Sequence, residues 1–152
     1  MMTTGVRILA IAPLLLVPLG VQRAGEENDA ATTMSVQAGV YSEAQAKRGA
    51  KVYEKECLDC HQPRQFIGPA YMEGWTGQTA YRLFELTRTT MPDGNPSRLR
   101  RRAYTDILAY IFSLNGFPVG KAEMKSDTES LQLIRIEGPY GTDPSNPPRR
   151  EQ

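Results

Sequence analysis

The chain of 152 residues contains two cysteines and one histidine, and all three fall within Cys57-Leu58-Asp59-Cys60-His61. Two thiols separated by two residues match addition to two vinyl groups of one porphyrin. A histidine directly after the second thiol sets an imidazole under the iron as proximal ligand. The segment is read as the attachment site of a single haem c, with Cys57 and Cys60 as covalent anchors and His61 as metal ligand.

Three other chemistries use such residues. A thioredoxin-like dithiol needs a strand-helix-strand setting, whereas a helical pattern leads into Cys57. A structural zinc site needs four ligands, and only Cys57, Cys60 and His61 are on offer. A disulfide closing a two-residue loop is a poor staple for a domain. The haem reading also suits size, since residues 41–118 provide fewer than about 80 residues of core, a length that commonly needs a staple or cofactor.

A second histidine ligand from this chain is impossible, so the opposite face of the iron falls to a methionine. Met1 and Met2 lie in the leader, Met34 in a polar stretch and Met124 beyond the last long helix. Met72 is the gap-filling alternative. Met91 stands in Thr90-Met91-Pro92, 30 residues after His61, where a helix gives way to a proline-stiffened loop. Met91 is the expected sixth ligand. A His/Met pair raises the reduction potential relative to two histidines, and filling both axial positions suits electron transfer rather than substrate binding.

The elements that must position these groups are helical. Ser42 and Gln45 have capping-box spacing, and Ala46, Gly49, Ala50 and Tyr53 form one face of a helix running into Cys57. Residues 62–77 are loop by composition, with Gly68-Pro69 and Gly74. A second helix is predicted over 79–87 and an irregular turn over 91–97. A third, over 99–114, carries Tyr104, Ile107, Leu108, Ile111 and Leu114 on one face and stops at Asn115-Gly116 and Pro118. Ser126 and Glu129 predict a cap for a short helix beyond it. The predicted class is all-α, three main helices around one haem, with no strand-rich region.

The expected organisation is an export signal over 1–24, a linker over 25–40, the haem domain over 41–118, an extension over 119–137 packing on it, and a loose tail over 138–152. Arg7 followed by an apolar run broken by Pro13 and Pro18 is too short to span a bilayer and suits a cleaved leader, an uncleaved anchor being the alternative. With no cysteine near the cleavage region, a lipid anchor is excluded. The protein is expected in the periplasm, without a membrane span in its mature form. Eighteen Lys and Arg against 17 Asp and Glu give a net charge of +1, and losing Arg7 and Arg23 brings it to −1. Neither value indicates nucleic-acid binding.

Several motifs together resemble the class I cytochrome c family, over roughly 41–119. Gly49-x-x-x-Tyr53 is similar to the family's N-terminal helix and Ile107-Leu108-Ala109-Tyr110 to its C-terminal helix, which cross where the glycine lacks a side chain. The resemblance implies that the Pro69 carbonyl accepts a hydrogen bond from Nδ1 of His61, fixing the ring. It also implies that Trp75 donates to a haem propionate, core burial being the alternative. The wider pattern, Trp75, Leu83-Phe84, Thr90-Met91-Pro92, Tyr104 and Asn115-Gly116-Phe117-Pro118, is similar to bacterial cytochromes that accompany or are fused to PQQ-dependent dehydrogenases. One departure is Arg98-x-Arg100-Arg101-Arg102 where the family commonly opens its last helix with a hydroxyl cap and acids. Cations there oppose the helix dipole by about 0.3–1 kcal/mol each. The run is either a solvated face or a docking patch for an acidic redox partner.

The expected function is non-enzymatic: one electron passed from a dehydrogenase, PQQ-dependent in the narrower resemblance, to an oxidase or another cytochrome. The alternatives are a haem subunit fixed in a dehydrogenase complex, with the extension as its arm, and a haem enzyme or gas sensor with a labile sixth ligand.

Overall fold

The computed structural model describes residues 1–2 and 32–140. Residues 3–31 and 141–152 lie outside that range, and with them nearly all of the expected export signal (1–24), part of the expected linker (25–40) and most of the expected tail (138–152). Among the described residues the fold is all-α, with three long helices, two short ones and one two-stranded parallel pair.

Helix α1 (Glu43–Glu56) starts where Ser42 accepts the backbone N–H of Gln45 at 3.1 Å. Only half of the expected capping box forms. The Gln45 side chain is buried and exchanges two hydrogen bonds with the Met124 backbone, at 2.9 and 2.8 Å. After a 3-10 turn (Pro63–Phe66) come the four-residue α2 (Pro69–Met72) and a further 3-10 turn (Glu73–Trp75). Helix α3 (Ala80–Thr90), capped by Thr79, runs three residues past its predicted end. Helix α4 (Arg101–Leu114) begins two residues later than predicted, and its N-cap Arg100 makes no side-chain capping bond. The short α5 (Thr128–Gln132) is capped by Asp127, which accepts from Ser130 N–H at 2.8 Å, one residue beyond the Ser126 cap expected.

The two long helices at the centre cross at Gly49. A Cβ there would fall 1.8 Å from the Asp106 carbonyl oxygen, so only hydrogen fits between the backbones. Tyr53 and Tyr110 then meet across the crossing with ring centroids 5.3 Å apart. Leu83 and Phe84 from α3 and Tyr104, Ile107, Leu108, Ile111 and Phe112 from α4 fill the core.

Residues 34–40 depart from the linker reading. Met34–Ser35 (β1) pairs in parallel with Ile134–Arg135 (β2), and Val36, Val40 and Tyr41 are buried. Apolar side chains at 36 and 40 have a core to enter because the returning segment is there to cover them. That segment buries Met124, Leu131, Ile134 and Ile136, leaving no projecting arm among the described residues. The two strands of chain touch again where Gly120 passes Gly39, a contact so close that a Cβ on Gly120 would sit 1.7 Å from the Gly39 carbonyl oxygen.

The arginine run is largely structural. Arg98 bonds Glu56. Arg101 lies over the Phe84 ring at 4.6 Å and donates to the Ser126 carbonyl at 2.9 Å. Arg102 donates to Glu123 at 3.0 Å. Beside it, Arg48 makes a two-pronged bond to the buried Asp106 carboxylate, at 3.1 and 3.0 Å, and a third bond to Glu123 at 2.8 Å. This network ties α1, α4 and the extension together. It offsets the dipole cost of cations at the start of α4.

Candidate functional site

The Cys57–His61 segment is a single helical turn. Cys57 ends α1, with its N–H on the Tyr53 carbonyl, and its own carbonyl accepts from Cys60 N–H at 3.2 Å and His61 N–H at 2.8 Å. The turn therefore sets the two thiols three residues apart and the imidazole one residue further on. Both thiols are free, Cys60 exposed and Cys57 half-buried against the core. Burial, with Glu56 adding to it and Arg98 opposing, pushes the Cys57 thiol up to about 11.

His61 is half-buried, and its ring touches Phe66 edge-on with centroids 5.6 Å apart. Among the described residues no side-chain or backbone group hydrogen-bonds either ring nitrogen. The Pro69 carbonyl accepts instead from Glu73 N–H within α2, which leaves its second lone pair open. The backbone of His61 is held firmly: the Tyr53 hydroxyl donates to its carbonyl at 2.7 Å.

The loop leaving His61 is pinned to the far end of α4 by Asn115, which is fully buried. Its carboxamide oxygen accepts Gly68 N–H at 2.7 Å, and its nitrogen donates to the carbonyls of Phe66 at 2.7 Å and Ile111 at 2.8 Å. Asn115 reads in the sequence only as a helix stop. Nothing local marks it as the anchor of a loop nearly fifty positions earlier.

Met91 is the C-cap of α3, its N–H on the Thr87 carbonyl. The loop after it folds back on the helix, with Ser97 N–H on the Arg88 carbonyl at 2.8 Å. Its own carbonyl accepts the Tyr104 hydroxyl at 2.9 Å. The thioether is half-buried, whereas Met72 is fully buried in the core. Trp75 is half-buried beside Tyr71, at 6.4 Å between ring centroids. Burial pushes the Tyr71 phenol up to about 12, with the Trp75 indole N–H acting in the opposite sense. The chain just after Trp75 is clipped to the extension by Gly77 N–H on the Ile136 carbonyl and Ile136 N–H on the Gln78 carbonyl, both 2.9 Å.

The donor set fits a covalent haem. It offers two unpaired thiols on one turn, an imidazole with no hydrogen-bond partner, and a thioether on a separately anchored loop. Tyr53, Phe66, Tyr71 and Trp75 form a continuous run of ring contacts alongside them. Among the described residues no group of three or more His, Cys, Asp or Glu side chains is arranged to hold a metal ion.

Compared with known families, residues 44–111 match the model for cytochrome c oxidase, cbb3-type, subunit III. The match opens one residue into α1 and closes three residues before the end of α4. It therefore contains the Cys57 turn, the Asn115-pinned loop and Met91. No curated protein and no solved structure gives a significant match. Among the described residues no helix is long and apolar enough to cross a membrane.

Proposed function

We propose that this protein, whose residues 44–111 match a family model of c-type cytochromes, is a mono-haem electron carrier with His61 and Met91 as axial ligands. The observation that carries the reading is the pairing of the Cys57–His61 turn, thiols and imidazole all unengaged, with a Met91 loop hung separately from α4. Haem c held there supplies a one-electron couple between ferric and ferrous iron.

The chain's own contribution is to hold and to exclude. Cys57 and Cys60 would fix the group covalently, and His61 and Met91 would be its two protein ligands to iron, leaving no ligand position for a small molecule. Tyr53 and Tyr104 hold the carbonyls of those two residues in place. Trp75 would donate to the group's edge and the Pro69 carbonyl would accept from the His61 imidazole.

We assign the carrier to the periplasm after removal of residues 1–24. A dehydrogenase, PQQ-dependent in the narrower resemblance, is its donor, and an oxidase or another cytochrome its acceptor. A second reading has a specific basis: the matched family is an oxidase subunit by description, so the domain is alternatively a fixed subunit of an oxidoreductase complex. Co-purification of a stoichiometric partner under mild conditions separates the two.

Optical spectra of both oxidation states with a redox titration test the proposal. A six-coordinate low-spin haem, a ferric sulfur-to-iron charge-transfer band, a one-electron Nernstian titration and slow carbon monoxide binding are the expected results. A high-spin spectrum with rapid carbon monoxide binding overturns the assignment in favour of a gas sensor or haem enzyme.

A further inference from the structure

Between the outer face of α1 and the first turns of α4 lies a cleft of about 710 Å³. Its floor is apolar, made by Val52, Leu99 and Ala103, all partly buried. Around that floor stand six cationic side chains against two carboxylates. The cleft opens beside the haem attachment turn: Glu56 and Arg98 line it, and both act electrostatically on the Cys57 thiol.

Most of these cations are neutralised within the fold. Arg48 holds Asp106 and Glu123, Arg102 holds Glu123, and Arg98 holds Glu56. Lys55 stands 3.7 Å from Glu56. Lys51 and Arg100 differ. Both are exposed, and among the described residues neither side chain has a carboxylate or hydrogen-bond partner. Lys51 lies on α1 and Arg100 is the N-cap of the facing α4, and the two present unopposed positive charge over an apolar surface. An arginine fork grips a carboxylate in two places, and a lysine adds a mobile point charge. An acidic chain carrying an apolar residue satisfies both the cations and the floor.

We propose that this cleft docks an acidic segment of the redox partner, with Lys51 and Arg100 as the recognising cations and an apolar partner side chain on Val52, Leu99 and Ala103. The proposal rests on the carrier reading and supplies the chemistry of its partner. It divides the arginine run of the sequence: Arg98, Arg101 and Arg102 serve the fold, and Arg100 serves recognition.

The test uses the full-length haem-loaded protein and a fluorescein-labelled peptide of Glu and Asp around one Leu, followed by anisotropy. Saturable binding at about 10 mM ionic strength, weakened about tenfold at about 0.15 M, is expected. Lys51→Glu/Arg100→Glu should lower the low-salt affinity by about tenfold or more. Arg82→Glu/Lys121→Glu changes the net charge equally outside the cleft and should lower it far less. Replacing the peptide's Leu by Ser should weaken binding to the wild-type protein several-fold. Equal losses in the two double variants, full affinity in Lys51→Glu/Arg100→Glu, or indifference to the Leu overturns the proposal. Optical spectra of the same samples report axial ligation, so failure of the carrier reading and failure of docking are separate results.

Discussion

The hydroxyl of Tyr53 donates to the backbone carbonyl of His61 at 2.7 Å. On the other crossing helix, Tyr104 does the same for Met91 at 2.9 Å. Each proposed axial ligand is thus tethered through its main chain to a tyrosine of one long helix, and the tether leaves both ligand side chains free.

Removing one phenol at a time should separate the two loops. Tyr104→Phe is expected to cost about 1 kcal/mol of stability, the usual worth of one such bond. It should also let the sulfur-to-iron charge-transfer band bleach at lower temperature than in the wild type. Tyr53→Phe should cost a similar amount while the band persists until global unfolding. Thermal melts followed at that band and by far-ultraviolet circular dichroism check both.

The methionines offer a second comparison. Met91→Ala should abolish the charge-transfer band and let carbon monoxide bind the reduced protein quickly, with little loss of helix. Met72→Ala, which empties a fully buried site, should instead cost about 2–5 kcal/mol and keep the band. If the two variants exchange these behaviours, Met72 is the ligand.

Gly49→Ala should be among the most damaging single changes. Its methyl group would sit 1.8 Å from the Asp106 carbonyl oxygen and 2.5 Å from the carbonyl carbon, both backbone atoms that cannot swing aside. Overpacking of this kind costs about 1–3 kcal/mol or more. Gly74→Ala, where nothing lies within 4 Å, should be close to neutral. Denaturant midpoints of the two variants make the measurement.

Acid should loosen the extension before the helical core. The Arg48 guanidinium, assisted by Arg102, holds the Glu123 carboxyl below its ordinary value of 4.5. A carboxyl with a lowered folded-state pKa stabilises the fold fully above its ordinary value, and that contribution fades as pH falls through the lowered one. The Met124 amide, bonded to Gln45, should therefore lose hydrogen-exchange protection on acidification below about pH 4. In Glu123→Gln that pH dependence should flatten, with protection already reduced at neutral pH.

What the sequence makes legible follows the range of the interactions. Ser42 caps a helix through a bond to the residue three positions on, and the helix faces at Gly49, Tyr53 and Ile107 follow a local period, so pattern reading reaches them. The Cys57–His61 turn is equally local. Asp127 displaces Ser126 as cap because either residue satisfies the same short-range rule and tertiary packing chooses between them. Residues 34–40 read as linker because a two-residue strand has no period to detect, and its partner Ile134 lies 100 positions away. Gln45, Arg48 and Tyr104, which look like helix residues, and Asn115, which looks like a helix stop, are in the same position until the distant backbone or carboxylate that each holds is in view.

Gly49 has a consequence beyond close packing. Tyr53 stands one turn after it on α1, and Tyr104 stands two residues before the Asp106 carbonyl that Gly49 abuts on α4. The crossing therefore works as the pivot of a caliper whose two jaws end at the carbonyls of His61 and Met91. Spreading the helices at this one point would open the span between the His61 and Met91 loops together, without altering either loop's own sequence. A single hydrogen atom in place of a side chain sets the gauge between the two loops that carry the proposed ligands, from outside both of them.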